Sequence, residues 1–218
     1  MKRLFFFAVL VLVAMQFAGA QFSVGGGVQG GLALSSFPDP VKDYYGLGFG
    51  GGAHLDLNVL RYLTIRLRGD YDVFSSDKSK FAAAIAKEFT VHGVAADPAQ
   101  TTFDGLNTSD IGITLSGIGK LPTKSIVTPY ALLGIGVHIL NASNQTISYT
   151  GLGDITQSLV DLNIVEQPTS TTKFGMNFGA GAEFALGTFK LFIEFQYVII
   201  FTPDKSTSYM PITIGFGI

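Results

Sequence analysis

The chain repeats a two-residue alternation of apolar and polar positions. Between Tyr62 and Phe74, Leu63, Ile65, Leu67, Tyr71 and Val73 are apolar, while Thr64, Arg66, Arg68, Asp70 and Asp72 are polar or charged. Successive side chains of a strand point to opposite faces, so this segment has one apolar and one ionic face. The same reading predicts eight strands, at about 22–35, 45–58, 62–74, 110–119, 128–140, 173–186, 189–202 and 207–218. Their apolar faces carry residues such as Val28, Phe49, Ile113, Ile135, Phe178, Ile193 and Ile214. The opposite faces are rich in glycine and small polar residues. In the fourth strand the alternation loses its phase near Gly117 and Ile118.

Charge decides which face meets which medium. Asp56, Arg66, Arg68, Asp70, Asp72, Glu183, Lys190 and Glu194 all fall on the glycine-rich face. An Arg or Lys facing lipid at the bilayer midplane costs ~2–4 kcal/mol. A soluble barrel that carries an apolar ligand needs the opposite arrangement. The pattern therefore predicts an all-β chain closed into an eight-stranded antiparallel transmembrane barrel, with its apolar face to lipid. The connections after strands 2, 4 and 6 are short, and those after strands 1, 3 and 5 are longer, at about 36–44, 75–109 and 141–172. Long loops on one side and short turns on the other suit an outer-membrane barrel with periplasmic turns. The short connection at about 203–206 is the exception. An even strand count places both mature termini in the periplasm.

The N-terminus supports export. Lys2 and Arg3 precede an apolar run, Leu4 to Ala14, and Ala18-Gly19-Ala20 resembles a cleavage site. Residues 1–20 read as a signal peptide and 21–218 as the barrel domain. The apolar run is short for a spanning helix. The chain has no Cys, which excludes disulfides and thiolate metal sites. Its 27 Gly and 19 Phe suit short strands bounded by turns. No basic run points to nucleic acid.

With these features together, the chain resembles the small outer-membrane β-barrel family that includes the OmpA membrane domain and OmpX. The most specific stretch is the C-terminal hairpin, FGAGAEFALGTFKLFIEFQY followed by YMPITIGFGI. The last strand resembles that family's assembly signal, with Ile218 where an aromatic residue is usual. The resemblance implies contact with outer-membrane lipid and lipopolysaccharide, and with the barrel-assembly machinery during insertion.

Candidate chemistry follows from the faces. The third and seventh strands lie opposite each other in an eight-stranded barrel. Arg66 or Arg68 can then meet Glu194 across the lumen, with Asp70, Asp72, Glu183 and Lys190 completing a lumenal ion-pair network. A barrel of eight strands is just wide enough for side chains to fill, which disfavours a nutrient pore. His54 and His138 face inward near opposite ends, so shared metal ligation is not expected, and His92 stands alone in a loop. No cofactor is implied.

Two loop segments read as helices. One is about 77–89, with the stripe Phe81, Ile85 and Phe89; the other is about 154–165, with Ile155, Leu159 and Leu162. Asp154 with Gln157 three residues on resembles a capping box. These stripes either pack on each other or on the barrel rim, or they form a cap that binds a partner or an extracellular ligand. No Ser–His–acid grouping falls on one rim, so an enzyme is not expected. The expected role is structural or display, through two long extracellular loops. A narrow passage for small, even hydrophobic, molecules is the alternative, and a lipid-modifying enzyme the third.

Overall fold

The computed structural model describes residues 22–36, 45–91, 97–105, 107–143, 145–161, 170–202 and 206–218. The predicted signal peptide, Leu162 and residues 203–205 lie outside them.

Eight long strands close into an antiparallel barrel: β1 (Ser23–Ser35), β2 (Tyr45–Leu60), β3 (Leu63–Ser76), β5 (Thr108–Lys120), β6 (Val127–Ala142), β9 (Ser170–Leu186), β10 (Phe189–Ile200) and β11 (Thr207–Gly217). Closure comes from β1 pairing with β11, Gly27 opposite Gly217 and Ser35 opposite Tyr209. A closed ladder leaves no unpaired strand edge, which is what the hydrocarbon core requires of backbone amides. Among the described residues no helix is long and apolar enough to cross a membrane.

Facing follows the alternation. Val28, Phe49, Leu55, Ile113, Leu133, Ile135 and Ile214 are exposed on the outer wall, while Gln29, His54, Arg66, Arg68, His138 and Glu194 are buried inside. Ring pairs such as Phe189 with Phe216 stack on the outer face, with centroids 5.1 Å apart. The uncertain phase near Ile118 resolves without a break. Ladders with β3 and β6 fix the register of β5, so Ile118 points inward and Gly117 and Gly119 outward. Ile118 packs there with Tyr130 and Leu132. The turn between β9 and β10 is two residues, and Gly187 supplies its positive φ of 72°.

The long-loop end carries more structure than the alternation predicts. It holds α1 (Lys78–Val91), β4 (Thr101–Asp104), β7 (Thr146–Tyr149), β8 (Gly153–Asp154) and α2 (Thr156–Asp161). The three short strands form their own antiparallel sheet in the order β4-β7-β8. Alternation over four residues is too brief to signal a strand, so these segments carry no strand signal in the sequence. Helix α1 lies where expected. Helix α2 begins two residues later than expected, and its predicted continuation beyond Asp161 lies outside the described residues.

Candidate functional site: a filled lumen under a folded cap

The inward face of β3 organises the middle of the lumen. Arg66 makes a two-pronged contact with Asp56, at 2.7 and 2.8 Å. Across the barrel its Nη1 donates to Glu194 Oε2 at 3.1 Å. Arg68 donates to Asp70 at 2.6 Å and also reaches Glu194 Oε1. The remaining bonds to Glu194 come from the Tyr130 hydroxyl and Gln196 Nε2, both at 2.7 Å. Glu194 is completely buried. Four donors from three strands meet one carboxylate, which is the condition under which a buried charge is tolerated. Phe192 closes the group from below, with the Arg66 guanidinium over its ring at 5.2 Å. Gly215 leaves room for that ring, since a Cβ at 215 would overlap it.

The structure thus brings Arg66, Arg68, Asp70 and Glu194 into one network. It separates three of the other candidates. Among the described residues Asp72 has no Arg or Lys within ion-pair distance; its Oδ2 contacts the Tyr209 hydroxyl at 3.1 Å. Glu183 lies nearer the short-turn end and pairs with Lys120 at 2.9 Å. Lys190 has no ion-pair partner within 4.0 Å among the described residues, because it sits beside the turn, opposite Ala185 and Gly217. Asp110, Lys120, Tyr130 and Tyr209 join the lumen without having been candidates from the sequence. Their position is legible in principle, since all occupy inward phases of their strands. Their partners are not, because those come from distant strands.

The two histidines stay apart, as their positions imply. His54 Nδ1 lies 2.8 Å from Gln29 Oε1. His138 Nδ1 lies 2.7 Å from Asp110 Oδ2. Among the described residues no group of three or more His, Asp or Glu side chains is arranged to hold a metal.

Above this polar column an apolar layer crosses the lumen. Ala33, Phe74, Val198, Ile200 and Tyr209 form it, with Tyr45 and Leu140 against it. Between the layer and the network lies a cavity of about 10 Å³, lined by Asp70, Asp72, His138 and Tyr209 among others. That is roughly the room one water needs.

The cap sits beyond this layer. Ala82 of α1, Phe103 of β4, Ile147 of β7 and Leu159 of α2 form its buried core, with Phe81 and Ile155 packed on it. Phe81 also meets Tyr45 of the barrel wall edge-on, with centroids 6.2 Å apart. The two helices therefore share one core through an intervening sheet. The side chains of Ile85, Phe89 and Leu162 lie outside the described set. Lys78 Nζ donates to the Phe103 carbonyl at 2.9 Å, tying α1 to β4. Asp154 Oδ1 accepts from the Thr156 N–H at 2.9 Å and from its hydroxyl at 2.6 Å, which holds the carboxyl below the usual aspartate range. Gln157 does not complete the expected capping box. Its side chain donates down the helix to Asp161 at 2.9 Å.

An apolar outer wall, a charged lumen and a cap at one end define an outer-membrane barrel. The chain belongs to the outer membrane protein beta-barrel domain family, whose model matches residues 4–218. This places it in the bacterial outer membrane. Among solved structures it is similar to Neisserial surface protein A, at 16% identity and TM-score 0.51, covering 90% of this chain and 97% of that one. It is also similar to a major outer membrane protein from Thermus thermophilus, at 11% identity and TM-score 0.51, covering 89% of this chain and 98% of that one. At these identities the likeness is one of fold. No curated protein matches the chain.

Proposed function

We propose that this chain is a non-enzymatic barrel that displays a folded cap on the cell surface. The observation that supports this most is the cap itself. Its loops have a buried core and a sheet of their own. Ordering so many loop residues costs roughly 1–2 kcal/mol each in backbone entropy, a cost without purpose if the loops only joined strands. In this reading the short turns and both mature termini face the periplasm, residues 1–20 direct export, and the assembly machinery inserts the barrel. Lipid and lipopolysaccharide meet its outer wall, and an extracellular ligand meets the cap.

An epitope inserted at Gly151-Leu152, where Leu152 is 73% exposed, tests the reading. Antibody should bind it on intact cells; binding only after permeabilisation would reverse the orientation and end the display role. The alternative, a narrow passage, is disfavoured by the apolar layer and the filled network. Steady unitary conductance of the purified barrel in planar bilayers would restore it. A change in lipid A mass that depends on the protein would establish the third reading, an enzyme.

A further inference from the structure

The outer end of the polar column differs from its middle in holding two carboxylates that, among the described residues, have no Arg or Lys within ion-pair distance. Asp72 and Asp110 stand opposite each other on β3 and β5. Both place Oδ2 against one phenol oxygen, that of Tyr209, at 3.1 and 2.9 Å. All three side chains are buried. The facing groups can be enumerated. On β3 itself, Asp70 and Arg68 bond each other, and Arg68 also bonds Glu194 of β10. From β6 comes His138, which bonds Asp110. From β9 comes Lys173, half-buried and in register with His138. The β2 partner of Asp72 is Gly50, and Gln29 of β1 and Gln196 of β10 are uncharged.

Hydrogen counting then fixes the arrangement. A phenol has one hydrogen to donate. It cannot satisfy two ionised carboxylates, and two bare carboxylate oxygens on one phenol oxygen would repel in a buried site. His138 is 1% exposed, and its Nε2 has no hydrogen-bond partner among the described residues. Nδ1 faces an acceptor, the Asp110 carboxylate, at 2.7 Å, so the bonded hydrogen is placed on Nδ1 and donated to Asp110. Asp110 Oδ2 then accepts from both His138 and Tyr209. Tyr209 has spent its hydrogen, so its oxygen is left as an acceptor toward Asp72. Asp72, which receives no hydrogen from a histidine as Asp110 does, then completes the chain by carrying a proton and donating it.

We propose that Asp72, Tyr209, Asp110 and His138 form a proton-binding site, with the bound proton on Asp72, which latches the outer seal of the lumen. The latch follows because Tyr209 belongs to both structures. Its hydroxyl holds the two aspartates, and its ring packs edge-on against Phe74 of the apolar layer, with centroids 5.2 Å apart. Losing the proton sets Asp72 against the phenol oxygen and pushes that ring out of the layer.

Infrared spectroscopy of the full chain in lipid nanodiscs at pH 7 tests the site. The carbonyl stretch of a protonated carboxylic acid should be present. It should move when aspartate carboxyls are labelled with ¹³C, and it should be lost in Asp72→Asn. Tyr209→Phe is the second variant, should Asp72→Asn not fold; it should raise the frequency of the band by removing the acceptor of the acid hydrogen. No band in the wild type, a band retained in Asp72→Asn, or one unmoved by Tyr209→Phe overturns the proposal. The latch has its own readout. In Ile200→Cys the thiol should become more reactive to a small polar thiol reagent as the pH is raised from 7 through the loss of the acid band, and more steeply than in an Asp72→Asn background, which corrects for thiol ionisation. Equal slopes overturn the latch.

Discussion

The barrel and its cap are inside-out versions of each other. In the barrel, Arg66, Arg68 and Glu194 are buried, and Ile135 and Ile214 are exposed. In the cap, Phe103, Ile147 and Leu159 are buried, while Asp97, Asp104, Asp154 and Asp161 are exposed. One chain obeys opposite rules about a strand length apart, because lipid surrounds one region and water the other. The same side chain should therefore have opposite effects in the two regions, and that can be tested directly.

The largest effect should come from the middle of the lumen. Glu194→Gln removes the charge that Arg66 and Arg68 share and turns an amide toward one of them. Breaking a buried pair costs about 3–5 kcal/mol. The midpoint of urea unfolding in lipid vesicles should fall accordingly, whereas Asp161→Asn on the cap should leave it in place. Equal midpoints would mean that the network does not hold the barrel.

Leu159→Ala should cost about 2–5 kcal/mol, the range for emptying a buried site of that size, but only within the cap. Limited proteolysis should then cut the cap while the barrel keeps its folded electrophoretic mobility. Loss of both together would make cap and barrel one cooperative unit. Next comes Ile135→Arg, at the centre of β6 on the outer wall. It should cost about 2–4 kcal/mol in a bilayer, while Leu152→Arg on the cap should cost nothing measurable. A tolerated Arg at 135 would argue against lipid there.

The smallest effect concerns Asp154. Its carboxyl is held below the usual range by Thr156, so the ionised form is the one the fold prefers. Its contribution is fully present above the unfolded aspartate value, about 3.9, and fades as pH falls through the folded value. Asp154→Ala should therefore loosen the cap at pH 7 and make progressively less difference as the pH approaches 3, read as the rate of cap proteolysis by an acid-tolerant protease. A constant difference between wild type and variant would show that the carboxylate is not the capping group.

Strand number, strand facing and the inward set of charges can all be read from the sequence. They follow from the period-two geometry of a strand and from the cost of putting charge in lipid, both of which act residue by residue. The pairing of Arg66 and Arg68 with Glu194 is also within reach, because strands on opposite sides of an eight-stranded barrel must face each other. Other features need the closed fold. Lys120, on the same face of β5 as Asp110, finds Glu183 only because β6 pairs with both β5 and β9 and leaves them one strand apart. Asp72 looks in sequence like one more member of the Arg network, since it shares a face with Arg66 and Arg68. It instead meets Tyr209 and Asp110, because strand register sets its height in the lumen above the last guanidinium. The sheet in the cap is illegible for a related reason. Strands β4 and β7 are four residues each and more than forty apart in sequence, too short to carry a period and stable only once paired. What the sequence determined was the solvent each face would meet; which side chains would share a proton, a charge or a core was decided by the register and closure of the barrel.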